Sequence, residues 1–85
     1  MHMLQPNIIN VIPLENYMLE LHYENGEKKI FDVKPYIRGE WYGKLKDPSL
    51  FKTVKVVDNW TIEWDDGQDI EPSELYENST KIENE

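Results

Sequence analysis

The pair Asn25-Gly26 constrains this chain more than any other feature. It stands between Y-M-L-E-L-H-Y-E and E-K-K-I-F-D-V. In the first of these, Tyr17, Leu19, Leu21 and Tyr23 fall on one face, and Glu20, His22 and Glu24 on the other. A period of two marks a half-buried strand. Asn and Gly both tolerate positive φ, so the pair predicts a tight type I′ hairpin with E-K-K-I-F-D-V as the returning strand.

The flanks extend this unit. The β-branched run I-I-N-V-I-P-L from Ile8 to Leu14 reads as an amino-terminal strand, ending near Pro13 or lying at a sheet edge, because proline cannot donate to a ladder. In K-P-Y-I-R-G-E-W-Y-G-K-L-K, Gly39 and Gly43 interrupt a helical spacing of Ile37, Trp41 and Leu45, which predicts a loop with short turns. Asp47-Pro48 offers an N-cap and a first-turn proline for a short helix over S-L-F-K. A second hairpin is expected from T-V-K-V-V, the turn Asp58-Asn59 and W-T-I-E-W, with Trp60, Ile62 and Trp64 sharing a core face. In I-E-P-S-E-L-Y, Glu71 reads as N-cap, Pro72 as N1, and Ile70 with Leu75 as a hydrophobic staple. The fold class is therefore α+β: a small antiparallel sheet of two hairpins plus an amino-terminal strand, with short helices packed on it. Residues 1–77 are expected to form one domain and 78–85 a frayed acidic tail.

Eighty-five residues suffice for one domain, which buries only about two-thirds of its unfolded surface. Three Trp, five Tyr and two Phe supply compact core mass. The absence of cysteine excludes disulfides, thiolate catalysis and cysteine-bound zinc. No apolar run approaches the roughly 18 residues of a membrane span, and the amino end lacks the basic and apolar regions of a signal peptide. A cytoplasmic location is expected, and the sequons at Asn59 and Asn78 carry little weight. The net charge of −8 is polarised. Residues 65–85 hold eight acids against one lysine, and residues 28–55 hold eight bases against three acids.

The cluster W-D-D-G-Q-D invites a metal reading. Counted from Asp65, Gly67 falls at position three and Asp69 at five, which fails the spacing of a calcium loop. Turn chemistry explains the cluster better, since Asp and Gly favour turns; a small-ligand or divalent-ion binding domain using Asp65, Asp66 and Asp69 is the alternative. The only histidines are His2 and His22, no Ser-His-Asp arrangement is present, and the four glycines stand apart. Catalysis and cofactors are therefore not expected. Trp41-Tyr42, beside Arg38 and Lys44, either forms an interface anchor or folds over the core. The basic middle with its aromatics leaves accessory nucleic-acid binding as a further alternative, opposed by the overall negative charge.

The segments Y-M-L-E-L-H-Y-E-N-G, L-K-D-P-S-L-F, V-K-V-V-D and W-D-D-G-Q-D-I-E-P-S-E-L-Y resemble the small prokaryotic family known as domain of unknown function 2442. The resemblance covers about residues 8–77, and the spacing of Trp64, Gly67, Asp69, Leu75 and Tyr76 is its most specific part. Asp65 and Asp66 depart from the proline and asparagine of many members. The resemblance implies a small α+β fold and no established reaction. It also implies company: some members are fused to helix-turn-helix domains, and some are encoded beside a small protein in toxin–antitoxin-like arrangements. The expected function is a non-catalytic protein–protein interaction or regulatory module, antitoxin-like, with a basic small protein as partner and no membrane contact. Arg38, Trp41, Tyr42, Glu71, Glu74 and Glu77 are the expected partner-binding residues, joined by Glu83 and Glu85 in steering a basic partner.

Overall fold

A computed structural model describes residues 5–82. Expectations placed on His2, Glu83 and Glu85 lie outside the described residues. The fold is α+β and fully antiparallel, but its strands divide between two sheets rather than joining one. Strands β1 (Ile8–Leu14), β2 (Met18–Tyr23), β3 (Lys28–Asp32) and β7 (Thr80–Lys81) form the first, in the order β1-β2-β3-β7. Strands β4 (Lys55–Val57), β5 (Thr61–Glu63) and β6 (Asp69–Ile70) form the second. Helices α1 (Pro48–Phe51) and α2 (Pro72–Glu77) are both short. Single 3-10 turns span Glu15–Tyr17 and Lys34–Tyr36, and a longer one spans Tyr42–Lys46.

The alternation in β2 behaves as read: Leu19, Leu21 and Tyr23 are buried, and Phe31 joins them from β3. Ile62, Trp64, Ile70 and Leu75 contribute from the second sheet and α2, so one core lies between the layers. Trp64 is its largest member, and its indole Nε1 donates to Phe51 O at 3.0 Å. Asp47 caps α1 through Ser49 N–H, as its sequence predicts. Glu71 makes no side-chain cap, although Pro72 starts α2 and Ile70 and Leu75 are both buried. Pro13 lies in an edge strand.

The turn after β2 is not type I′. Gly26 alone is left-handed (φ 94°), Gly26 N–H donates to Tyr23 O, and Tyr23 N–H donates to Glu27 O. That is a three-residue loop closed by a left-handed glycine. Asn25 selects it by accepting from Glu27 N–H and donating to the Glu27 carboxylate. The type I′ signature appears instead at Asp58 and Asn59, with φ of 57° and 53° and Trp60 N–H donating to Val57 O. Trp60 is therefore a turn residue preceding β5. It is 47% exposed instead of sharing the buried face of Ile62 and Trp64. Asn59 also joins the sheets: its carbonyl accepts from Ile8 N–H, and its amide donates to Ile8 O.

Residues 78–82, expected in a frayed tail, instead carry β7, which pairs Thr80 with Ile30 and Lys81 with Lys29. Backbone pairing on the open edge of β3 requires no apolar face, which is why hydrophobic pattern does not reveal it. Lys29 points inward, with Nζ 2.7 Å from Tyr76 O and 3.7 Å from the Tyr76 ring centroid, tying the end of α2 to the first sheet.

Candidate functional site

The aspartate-rich stretch is a turn. Gly67 N–H donates to Trp64 O and Trp64 N–H donates to Gln68 O, with Gly67 at φ 106°. W-D-D-G-Q thus repeats the backbone solution of Y-E-N-G-E. Asp65 faces Lys55 at 3.4 Å and Asp66 faces Lys44 at 3.5 Å, whereas Asp69 contributes its carbonyl to the Tyr42 hydroxyl. Among the described residues no group of three or more His, Asp and Glu side chains is placed to hold a metal ion.

The same turn seats the basic middle. Gln68, fully buried, donates from Nε2 to Trp41 O at 2.8 Å and to Asp66 Oδ2 at 3.0 Å. The Trp41 ring lies over Gly67, and Lys44 Nζ is 5.5 Å from its centroid. Trp41 remains 47% exposed while Tyr42 is half-buried. Half of the eight bases are engaged within the chain: Lys34 pairs with Asp32 at 3.0 Å, Lys29 is buried, and Lys44 and Lys55 hold the aspartate turn, while Lys28, Lys46 and Lys52 are exposed. Arg38 is exposed, its Nε donating to Pro35 O.

Beside this seat, an open groove of about 480 Å³ runs between the edge of the second sheet and the start of α2. Its walls bring together Tyr36, Tyr42, Trp60, Asp69, Glu71 and Glu74. Tyr36 donates to Glu74 Oε2 at 2.7 Å and Tyr42 to Asp69 O at 2.9 Å. Burial first, and then donation to the Glu74 carboxylate, pushes the Tyr36 phenol above its ordinary range. Burial, followed by the negative charges of Asp69 and Glu74, does the same to Tyr42. In both, burial is the larger cause and the negative groups of the groove add to it.

Of the six residues expected to bind a partner, Tyr42, Glu71 and Glu74 line this groove, while Arg38, Trp41 and Glu77 do not. Tyr36 and Trp60 are the additions. The signal for Trp60 was the D-N pair before it, whose left-handed turn takes the indole out of the strand alternation. Tyr36 had no comparable signal, because the K-P-Y turn bears no periodic pattern.

The chain matches the family model described as Protein of unknown function (DUF2442) over residues 8–81. It belongs to this family. The DUF2442 match starts at the first residue of β1 and ends at the last of β7, so both edge strands of the first sheet and every groove residue fall inside it. No curated protein and no solved structure matches the chain. Among the described residues of this DUF2442 protein, no helix is long and apolar enough to cross a membrane.

Proposed function

We propose that this DUF2442 protein is a non-catalytic, cytoplasmic protein–protein interaction module, antitoxin-like in that it binds and restrains a basic partner protein. The observation that supports this reading is the groove: an exposed indole beside Glu71 and Glu74, with no Lys, Arg or His lining it among the described residues. Exposed Trp and Tyr at a concave surface are the usual anchors of an interface, and surrounding carboxylates speed encounter with a positive partner. Lys29, Lys34, Lys44 and Lys55 are engaged with the chain's own acids or core, which leaves the exposed Lys28, Arg38, Lys46 and Lys52 to the nucleic-acid alternative.

The test is affinity purification from native cells and from cells co-expressing the adjacent gene product, followed by reconstitution from the separately purified components. A basic protein forming a stoichiometric complex is the expected result. Failure of any protein to re-form such a complex overturns the reading. Deleting everything after Tyr76 is a poor probe here, since it also removes β7 and bares the edge of β3.

A further inference from the structure

The chemistry of the groove narrows what part of a partner enters it, an inference that rests on the reading just given. Asp69, Glu71 and Glu74 enter no ion pair among the described residues, whereas Asp32, Asp65 and Asp66 are each matched by a lysine. The hydroxyls of Tyr36 and Tyr42 commit their single protons to groups of the groove itself, so what these hydroxyls and the carboxylates still offer a ligand is acceptors. The aromatic faces tell the same story. Lysines of this chain already stand over Tyr76 and Trp41, but among the described residues none stands over Trp60.

An exposed indole face attracts a cation through its quadrupole. A guanidinium is the cation best suited here, being planar, weakly hydrated, donor-only and able to stack while binding carboxylates through its fork. We propose that the groove takes an arginine side chain from an exposed basic segment of the partner protein, its guanidinium laid against Trp60 and donating to Glu71 and Glu74. Charge complementarity selects this occupant: among the described residues the groove offers acceptors and ring faces and no cation.

Calorimetry at low salt with short blocked peptides tests it, one bearing arginine and one lysine at the central position, with blocked arginine amide as a third ligand. The arginine peptide should bind with one-to-one stoichiometry and more tightly than the lysine peptide. Trp60→Ala, and separately the pair Glu71→Gln with Glu74→Gln, should each weaken it about tenfold. Trp41→Ala should leave affinity unchanged. So should Glu15→Gln with Glu24→Gln, which removes the same charge from exposed turns elsewhere. Equal losses from the two glutamate pairs would reduce the effect to generic attraction and overturn the proposal. An unchanged affinity in Trp60→Ala, or no heat with the arginine peptide, overturns it too. Binding of the blocked amide as tightly as the peptide assigns the groove to a small cation and also ends the claim. If the partner protein still binds after any of these failures, only the arginine assignment falls; if no protein partner binds, the underlying reading falls with it.

Discussion

Gly26 and Gly67 occupy the same place in two turns of the same construction, and substituting each by alanine separates backbone strain from packing. Both are left-handed, at φ of 94° and 106°. A side chain there costs about 1–2 kcal/mol from the clash of Cβ with the backbone. At Gly26 an added Cβ meets nothing within 4 Å, so strain is the whole effect. At Gly67 it would sit 3.4 and 3.5 Å from two carbons of the Trp41 ring. Those are near-optimal separations for carbon, worth only about 0.1–0.2 kcal/mol of attraction each. Gly26→Ala and Gly67→Ala should therefore lose the same 1–2 kcal/mol, to within about 0.5 kcal/mol, or roughly 4–8 °C in Tm per kcal/mol. Urea unfolding followed by far-ultraviolet circular dichroism measures both, and an unchanged m-value licenses the comparison. Adding Trp41→Ala to each completes a cycle whose coupling should be near zero. A cost at Gly67 more than about 2 kcal/mol above that at Gly26 would mean that Trp41 is pressed onto the turn, refuting the open seat described here. A negligible cost at both would refute the left-handed turns themselves.

Three further outcomes follow from the structure. Trp64→Phe should destabilise by about 2–4 kcal/mol in urea unfolding, because it shrinks the largest core side chain and leaves the buried Phe51 carbonyl without its indole donor. Donation from the Tyr76 hydroxyl, then from the Asn25 amide, holds the Glu27 carboxyl below its ordinary 4.5. This contribution is complete above that value and is lost as pH falls through the lower folded pKa, so Glu27→Gln should flatten that acid leg of stability against pH. The Tyr36 phenol is shifted the other way, and its contribution is present below its ordinary 10.0 and lost as pH rises through the folded value. Glu74→Gln should bring the Tyr36 transition back toward ordinary in a tyrosinate absorbance titration, with Tyr36→Phe identifying which transition it is.

The elements legible in advance were those whose cause is local. The period-two face of β2, the Asp47 cap of α1 and the proline-initiated start of α2 each follow from neighbours within four residues. The turns show where local reading stops short. Asn25-Gly26 and Asp58-Asn59 both suit type I′ geometry, yet the first became a three-residue loop because Asn25 bonds to Glu27. At the second, Asn59 satisfies both backbone groups of Ile8, a partner 51 positions away. The left-handed turn itself takes Trp60 out of the face predicted for it, and the contact with Ile8 anchors that turn to the first sheet. β7 was hidden for a related reason, since an edge supplies a short strand's hydrogen bonds whatever its side chains. Lys29 had a usable signal: it shares the inward parity of Phe31 in β3, although its charge suggested a surface residue.

Counting charges separated a basic middle from an acidic carboxyl end, but the fold spends those charges unevenly. Asp65 and Asp66, the most conspicuous acids in the sequence, are the ones already answered by Lys55 and Lys44. Asp69, Glu71 and Glu74 are answered by no cation among the described residues, and they flank the indole that the Asp58-Asn59 turn turns outward. An exposed ion pair contributes little net free energy, and each of its charges is largely cancelled by the other at a distance. The field that reaches an approaching partner is therefore set by the unmatched acids. This shifts the functional weight from the W-D-D-G-Q turn to the groove beside it, where negative field and aromatic surface coincide.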